Sequence, residues 1–130
     1  MTLRNLRILL AIDVVGLVAV AAIHGGLIGG GPADPAARYE AGVAVILAIG
    51  FALTFFGPTI ARWGTLIAQL LALFGVGTGI YMASNGMAPN TTADFAYHAF
   101  AVVTLLAGLV LAWRLPPAYS PGDRRSAVRA

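Results

Sequence analysis

Residues 6–28 read LRILLAIDVVGLVAVAAIHGGLI, and apart from Arg7, Asp13 and His24 no side chain in this run ionises. A hydrocarbon layer about 30 Å thick is crossed by about 20 apolar residues rising about 1.5 Å each, so the run has the length and composition of a membrane span. Runs of the same kind follow at 36–56, 64–83 and 93–113. Across the 130 residues 59% are hydrophobic and 10% are charged, whereas about a quarter of residues are charged in soluble domains. Hydrocarbon supplies no water to backbone N–H and C=O groups, so each span must satisfy its own hydrogen bonds as a helix. The connections are short, which makes consecutive helices antiparallel neighbours and leaves no extramembrane domain. The expected fold is all-α: an integral membrane, up-down four-helix bundle over residues 1–115, followed by a mobile basic tail at 116–130.

Orientation follows from the arginines. Arg4, Arg7, Arg62, Arg114, Arg124, Arg125 and Arg129 fall on the side shared by both ends and the middle loop, and Arg38 falls on the other. Positive residues in short loops stay cytoplasmic, so both ends are expected inside a bacterial cytoplasmic membrane. The net charge of +3 is then a topology signal, and the expected partner is the lipid bilayer, not nucleic acid. Cysteine is absent, which removes disulfide exchange and thiolate metal sites. The first run is longer than the core of a secretory leader and is expected to stay as a span.

Turn and cap residues mark the helix limits. Gly29-Gly30-Gly31-Pro32 ends the first helix, and Asp34 before Pro35 reads as the N-cap of the second. Gly57-Pro58 ends the second. Arg62-Trp63 and Trp113-Arg114 are interface anchors, and Thr91 with Asp94 three residues later matches a capping box for the fourth helix. The two halves show no internal repeat, and Gly75 and Gly79 have the small-xxx-small spacing that permits close helix packing.

An ionisable group inside a membrane costs about 2.5–3.5 kcal/mol at mid-depth, so each one needs a reason. They sort into two layers. Near the outer surface, antiparallel reading brings His24, Glu40 and His98 to one level, with Tyr81 and Asn85 at the same height on the third helix. Two imidazoles and a carboxylate suit a metal such as Zn or Cu, and with Tyr81 they also suit haem or a quinone. Asp94 serves as a cap and stands one turn before His98. In the inner layer Asp13 meets Gln69 as a polar clasp between helices, with Thr54 as a third partner.

The stretch Leu10-Ala11-Ile12-Asp13-Val14-Val15-Gly16, together with glycines in the third helix, resembles the first span of small multidrug resistance transporters. That resemblance implies a small proton-coupled transporter using Asp13. Residues 89–98, PNTTADFAYH, ahead of an apolar helix ending in Trp113-Arg114, resemble the last span of small bacterial four-span membrane proteins, and the general layout is similar to DoxX-like proteins. Both imply a fold and no activity. No nucleophile–base pair and no phosphate-binding glycine loop supports an enzyme. The leading expectation is a noncatalytic accessory or assembly subunit of a larger membrane complex, or a homo-oligomer packed through Gly75 and Gly79. The alternatives are metal, haem or quinone binding at His24, Glu40 and His98, and proton-coupled transport through Asp13.

Overall fold

Proline and glycine stand at most of the helix limits. In the computed structural model, which describes residues 3–88 and 91–115, the chain forms α1 (Leu3–His24), α2 (Ala36–Leu53), α3 (Pro58–Ser84) and α4 (Thr92–Trp113), with no strand among those residues. The proposed tail at 116–130 and the turn residue Pro89 lie outside them. Helix α1 stops at His24, four residues short of the expected end, because Gly26 takes a φ of 72° and the chain turns back so that the Asp34 N–H donates to the His24 carbonyl at 2.7 Å. The Asp34 carboxylate accepts the Ala36 N–H at 2.7 Å and caps α2. Helix α3 begins six residues earlier than expected, with Pro58 in its first turn, where a missing N–H costs nothing. Arg62 and Trp63 therefore sit on helix, not in a loop. The capping box at α4 is complete: the Thr91 hydroxyl accepts the Asp94 N–H at 3.2 Å, and the Asp94 carboxylate accepts the Thr91 N–H at 2.9 Å.

All four helices are long and apolar enough to cross a membrane, and the polarity of the bundle is that of a protein dissolved in lipid. Val15, Leu70, Phe74, Val103 and Leu106 face outward, while Thr54, Thr65, Gln69 and Thr104 are buried. In water such a surface would be one continuous exposed apolar patch. Buried threonines answer their own helices, Thr65 donating to the Ala61 carbonyl at 2.6 Å and Thr104 to that of Phe100 at 3.1 Å. Hydroxyl bonding back to the previous turn satisfies the group where water is absent.

The helices form a four-sided ring. Each packs on its neighbours in sequence, α1 closes on α4, and the diagonal pairs α1/α3 and α2/α4 make no close backbone approach. One face of α1, Leu6, Leu10, Asp13 and Leu17, points to the ring interior. Small residues set the spacing. A Cβ added at Gly50 would lie 2.6 Å from the Ala68 Cβ, and one added at Gly75 would lie 2.5 Å from the Val43 side chain. Gly75 thus packs α3 on α2, and Gly79 faces His98 of α4. Both serve contacts inside one chain, so their spacing no longer argues for self-association.

Two arginines fasten the opposite end, called here the arginine end. Arg7 donates through Nε to the Thr54 hydroxyl at 3.0 Å and through Nη2 to the Thr54 carbonyl at 2.7 Å, and its guanidinium lies 4.1 Å from the Phe55 ring centroid. A cation on the free carbonyls of a helix C-terminus is favoured by both hydrogen bonding and the helix dipole. Arg62 stacks 4.9 Å from the Trp113 ring and reaches the Leu115 carbonyl at 3.4 Å, linking α3 to the end of α4.

Gly50→Ala should lower stability by about 1–3 kcal/mol, the usual cost of overpacking. Gly42, beside which a Cβ would meet nothing within 4 Å, should accept alanine with no loss. Thermal unfolding of the two variants in one detergent checks this, and equal melting temperatures would contradict the packing described.

Candidate functional site

The end of the bundle opposite the arginines is built around His24, the last residue of α1. Its Nδ1 lies 2.8 and 2.9 Å from the two Glu40 carboxyl oxygens, and its Nε2 lies 3.1 Å from Oδ1 of Asp94. Glu40 stands in the second turn of α2 and Asp94 in the first turn of α4, so one ring joins three helices at one level. The three side chains are only 13%, 10% and 12% exposed. An imidazole engaged at both nitrogens by carboxyl oxygens needs a proton in each contact. The group therefore has the composition of an imidazolium held between two carboxylates. Asp94 divides its oxygens, Oδ2 holding the Thr91 N–H and hydroxyl of the cap while Oδ1 meets His24.

His98, one turn along α4, does not join this bridge. Its Nδ1 lies 2.7 Å from the Asp94 carbonyl oxygen, and Nε2 faces Gly79, where an added Cβ would come within 2.7 Å. The ring can occupy that position because residue 79 has no side chain. The Tyr97 ring stands edge-on to it, 5.5 Å between centroids.

These residues border a cavity of about 260 Å³ between the first turns of α2 and the last turns of α3, with α1 and α4 behind it. Leu17, Val43, Val76 and Met82 supply apolar walls, while His24, Glu40, Tyr97 and His98 lie at its polar side. Tyr39 and Phe74, 64% and 77% exposed, flank an opening toward the face that hydrocarbon would cover. A much smaller space of about 10 Å³, bordered by Asp13, Gly16, Tyr97 and Leu105, lies deeper in the bundle, at the lower limit for holding one water.

The expected site residues separate. His24, Glu40 and His98 do converge on one cavity, with Gly75 and Gly79 in its lining. Tyr81 does not: it is 63% exposed and points away from the cavity, because it sits on the opposite side of α3 from the Gly75–Gly79 face. The trio is not arranged around a metal. Both His24 nitrogens meet carboxyl groups and His98 Nδ1 meets a backbone carbonyl, and among the described residues no three His, Asp or Glu side chains are grouped to hold an ion.

The expected Asp13–Gln69 clasp is not made. Gln69 is fully buried beside Gly108, and neither end of its amide has a hydrogen-bond partner among the described residues. Asp13 faces α4 instead, at the small space it shares with Tyr97, Ala101 and Leu105. Ring topology is the reason, since α1 and α3 lie on a diagonal and a short aspartate reaches only a neighbouring helix. Thr54 is likewise held by Arg7 and not by the inner pair.

Two contributions to the site go beyond what the sequence predicts, the second role of Asp94 and the place of Tyr97. The sequence gives Asp94 the cap and His98 as its neighbour one turn on, and not the bond to His24, which is 70 residues away. Tyr97 carried a usable signal: with Ala101, Leu105, Gly108 and Ala112 it follows the spacing of an inward helical face. Compared with protein-family models, curated proteins and solved structures, the chain finds no match.

Removing the cap alone and removing cap and bridge together should give different losses. Thr91→Ala is expected to cost about 1 kcal/mol, the usual worth of an N-cap. Asp94→Ala is expected to cost about 3 kcal/mol or more, because it also strips a buried imidazole of a charged partner. Unfolding free energies in the same detergent decide, and equal losses would mean the His24–Asp94 contact contributes nothing.

Proposed function

We propose that the protein is a small membrane-embedded binding module, noncatalytic by itself, that takes up a single-ring apolar molecule with a polar head. The supporting observation is the cavity: apolar walls, a few polar groups on one side, and an opening between α2 and α3 flanked by the exposed Tyr39 and Phe74. Convergence of a few polar groups in an otherwise apolar pocket is the usual form of a small-molecule site. A volume of about 260 Å³ lies just below the usual range of about 300–1,000 Å³ for such sites. It suits a substituted aromatic ring such as a quinone head group and is too small for a haem macrocycle. The polar groups around it are tied to one another across three helices, which suits holding a ligand more than attacking one.

In this reading the arginine end faces the cytoplasm of a bacterial cell and the histidine end faces outward, following the excess of arginine on one side. The ligand enters from the outer leaflet. A binding module of this size acts as an accessory to a larger membrane complex, which the exposed apolar faces of the helices are free to join.

The test uses tetramethylphenol, a ring that fits the volume. Wild-type protein in lipid nanodiscs should bind it saturably in equilibrium dialysis. Thr78→Trp, which places a large ring at the exposed edge of the cavity, should weaken binding at least about tenfold, the loss expected when about 1.4 kcal/mol of contact is removed. Non-saturable uptake that is the same for both proteins is simple partition into lipid and would overturn the proposal.

A further inference from the structure

Of the donors at the cavity, the Tyr97 hydroxyl is buried without a hydrogen-bond partner among the described residues, while those of His24 and Thr78 are engaged. The N–H groups of His24 are directed at Glu40 and Asp94, and the Thr78 hydroxyl at the mouth donates to the Phe74 carbonyl at 2.9 Å. His98 is fixed more strictly. Its Nδ1 lies 2.7 Å from the Asp94 carbonyl oxygen, and a carbonyl can only accept, so the proton is on Nδ1. In a neutral imidazole the other nitrogen is then an acceptor. That nitrogen, Nε2, faces the bare backbone of Gly79, and both residues line the cavity. Glu40, also on that side, adds acceptor oxygens, and the Tyr97 hydroxyl adds a donor.

From this we infer that the cavity selects a ligand whose head donates a hydrogen bond, a phenol or quinol hydroxyl, and that Nε2 of His98 receives it. A carbonyl head, as in an oxidised quinone, could accept from the Tyr97 hydroxyl but would leave Nε2 of His98 without a donor, and an unpaired buried polar group costs its full desolvation; a hydroxyl head can satisfy both. The inference rests on the cavity being a ligand site and adds the chemistry of the head group.

Three probes with one ring test it: tetramethylphenol, its methyl ether and tetramethylbenzoquinone, each titrated into wild-type protein in nanodiscs. The phenol should bind about tenfold more tightly than either of the others, the upper range for one neutral hydrogen bond. His98→Phe, which keeps an aromatic ring and loses the acceptor, should bind all three alike. The wild-type comparison stands without the variant. Equal affinities for the three probes in wild type would overturn the head-group inference and leave the cavity as a ligand site. Saturable binding of none of them would overturn both.

Discussion

One imidazole holds the histidine end together. His24 closes α1 onto α2 through Glu40 and onto α4 through Asp94, and the α1–α4 side is where the ring of helices must close. Hydrocarbon gives the helices no hydrophobic force toward one another, so packing and polar contacts have to supply the association. A bridge of charge-assisted contacts, largely shielded from solvent, is strong in such surroundings and costly to break from one side. It also determines what the cavity contains. With Glu40 and Asp94 directed to His24, His98 is left to the Asp94 carbonyl, and its second nitrogen faces the cavity.

The rest of the bundle divides the work between its two ends. At the arginine end Arg7 and Arg62 close helix termini and stack on aromatic rings, so they fasten α1 to α2 and α3 to α4. Between the ends, glycine and alanine let backbones approach at Gly50, Gly64 and Gly75. The same absence of side chains at Gly79 admits the His98 ring. Close packing low on α3 and an open cavity higher up are thus consequences of one run of small residues.

Four spans could be read from the sequence because hydrophobic length is a local property that needs no tertiary contact. The Thr91–Asp94 box is local too, and it forms as expected. The common level of His24, Glu40 and His98 followed from antiparallel order alone. What was not legible is rotation about each helix axis. Tyr81 and Tyr97 stand at similar heights, yet only Tyr97 lines the cavity. Asp13 and Gln69 also share a depth, but which helices lie on a diagonal is decided by packing, and that diagonal separates them. The double duty of Asp94 lay beyond a local motif because His24, its second partner, is 70 residues away.

The most direct measurement is a double-mutant cycle on His24 and Glu40. Unfolding free energies would be determined in one detergent for wild type, His24→Gln, Glu40→Gln and the double variant. If His24 organises this end of the bundle, the two changes are coupled, with an interaction energy of about 1–3 kcal/mol. Losses that add to within about 0.5 kcal/mol, the scatter of independent sites, would contradict the bridge and the arrangement of the cavity that depends on it.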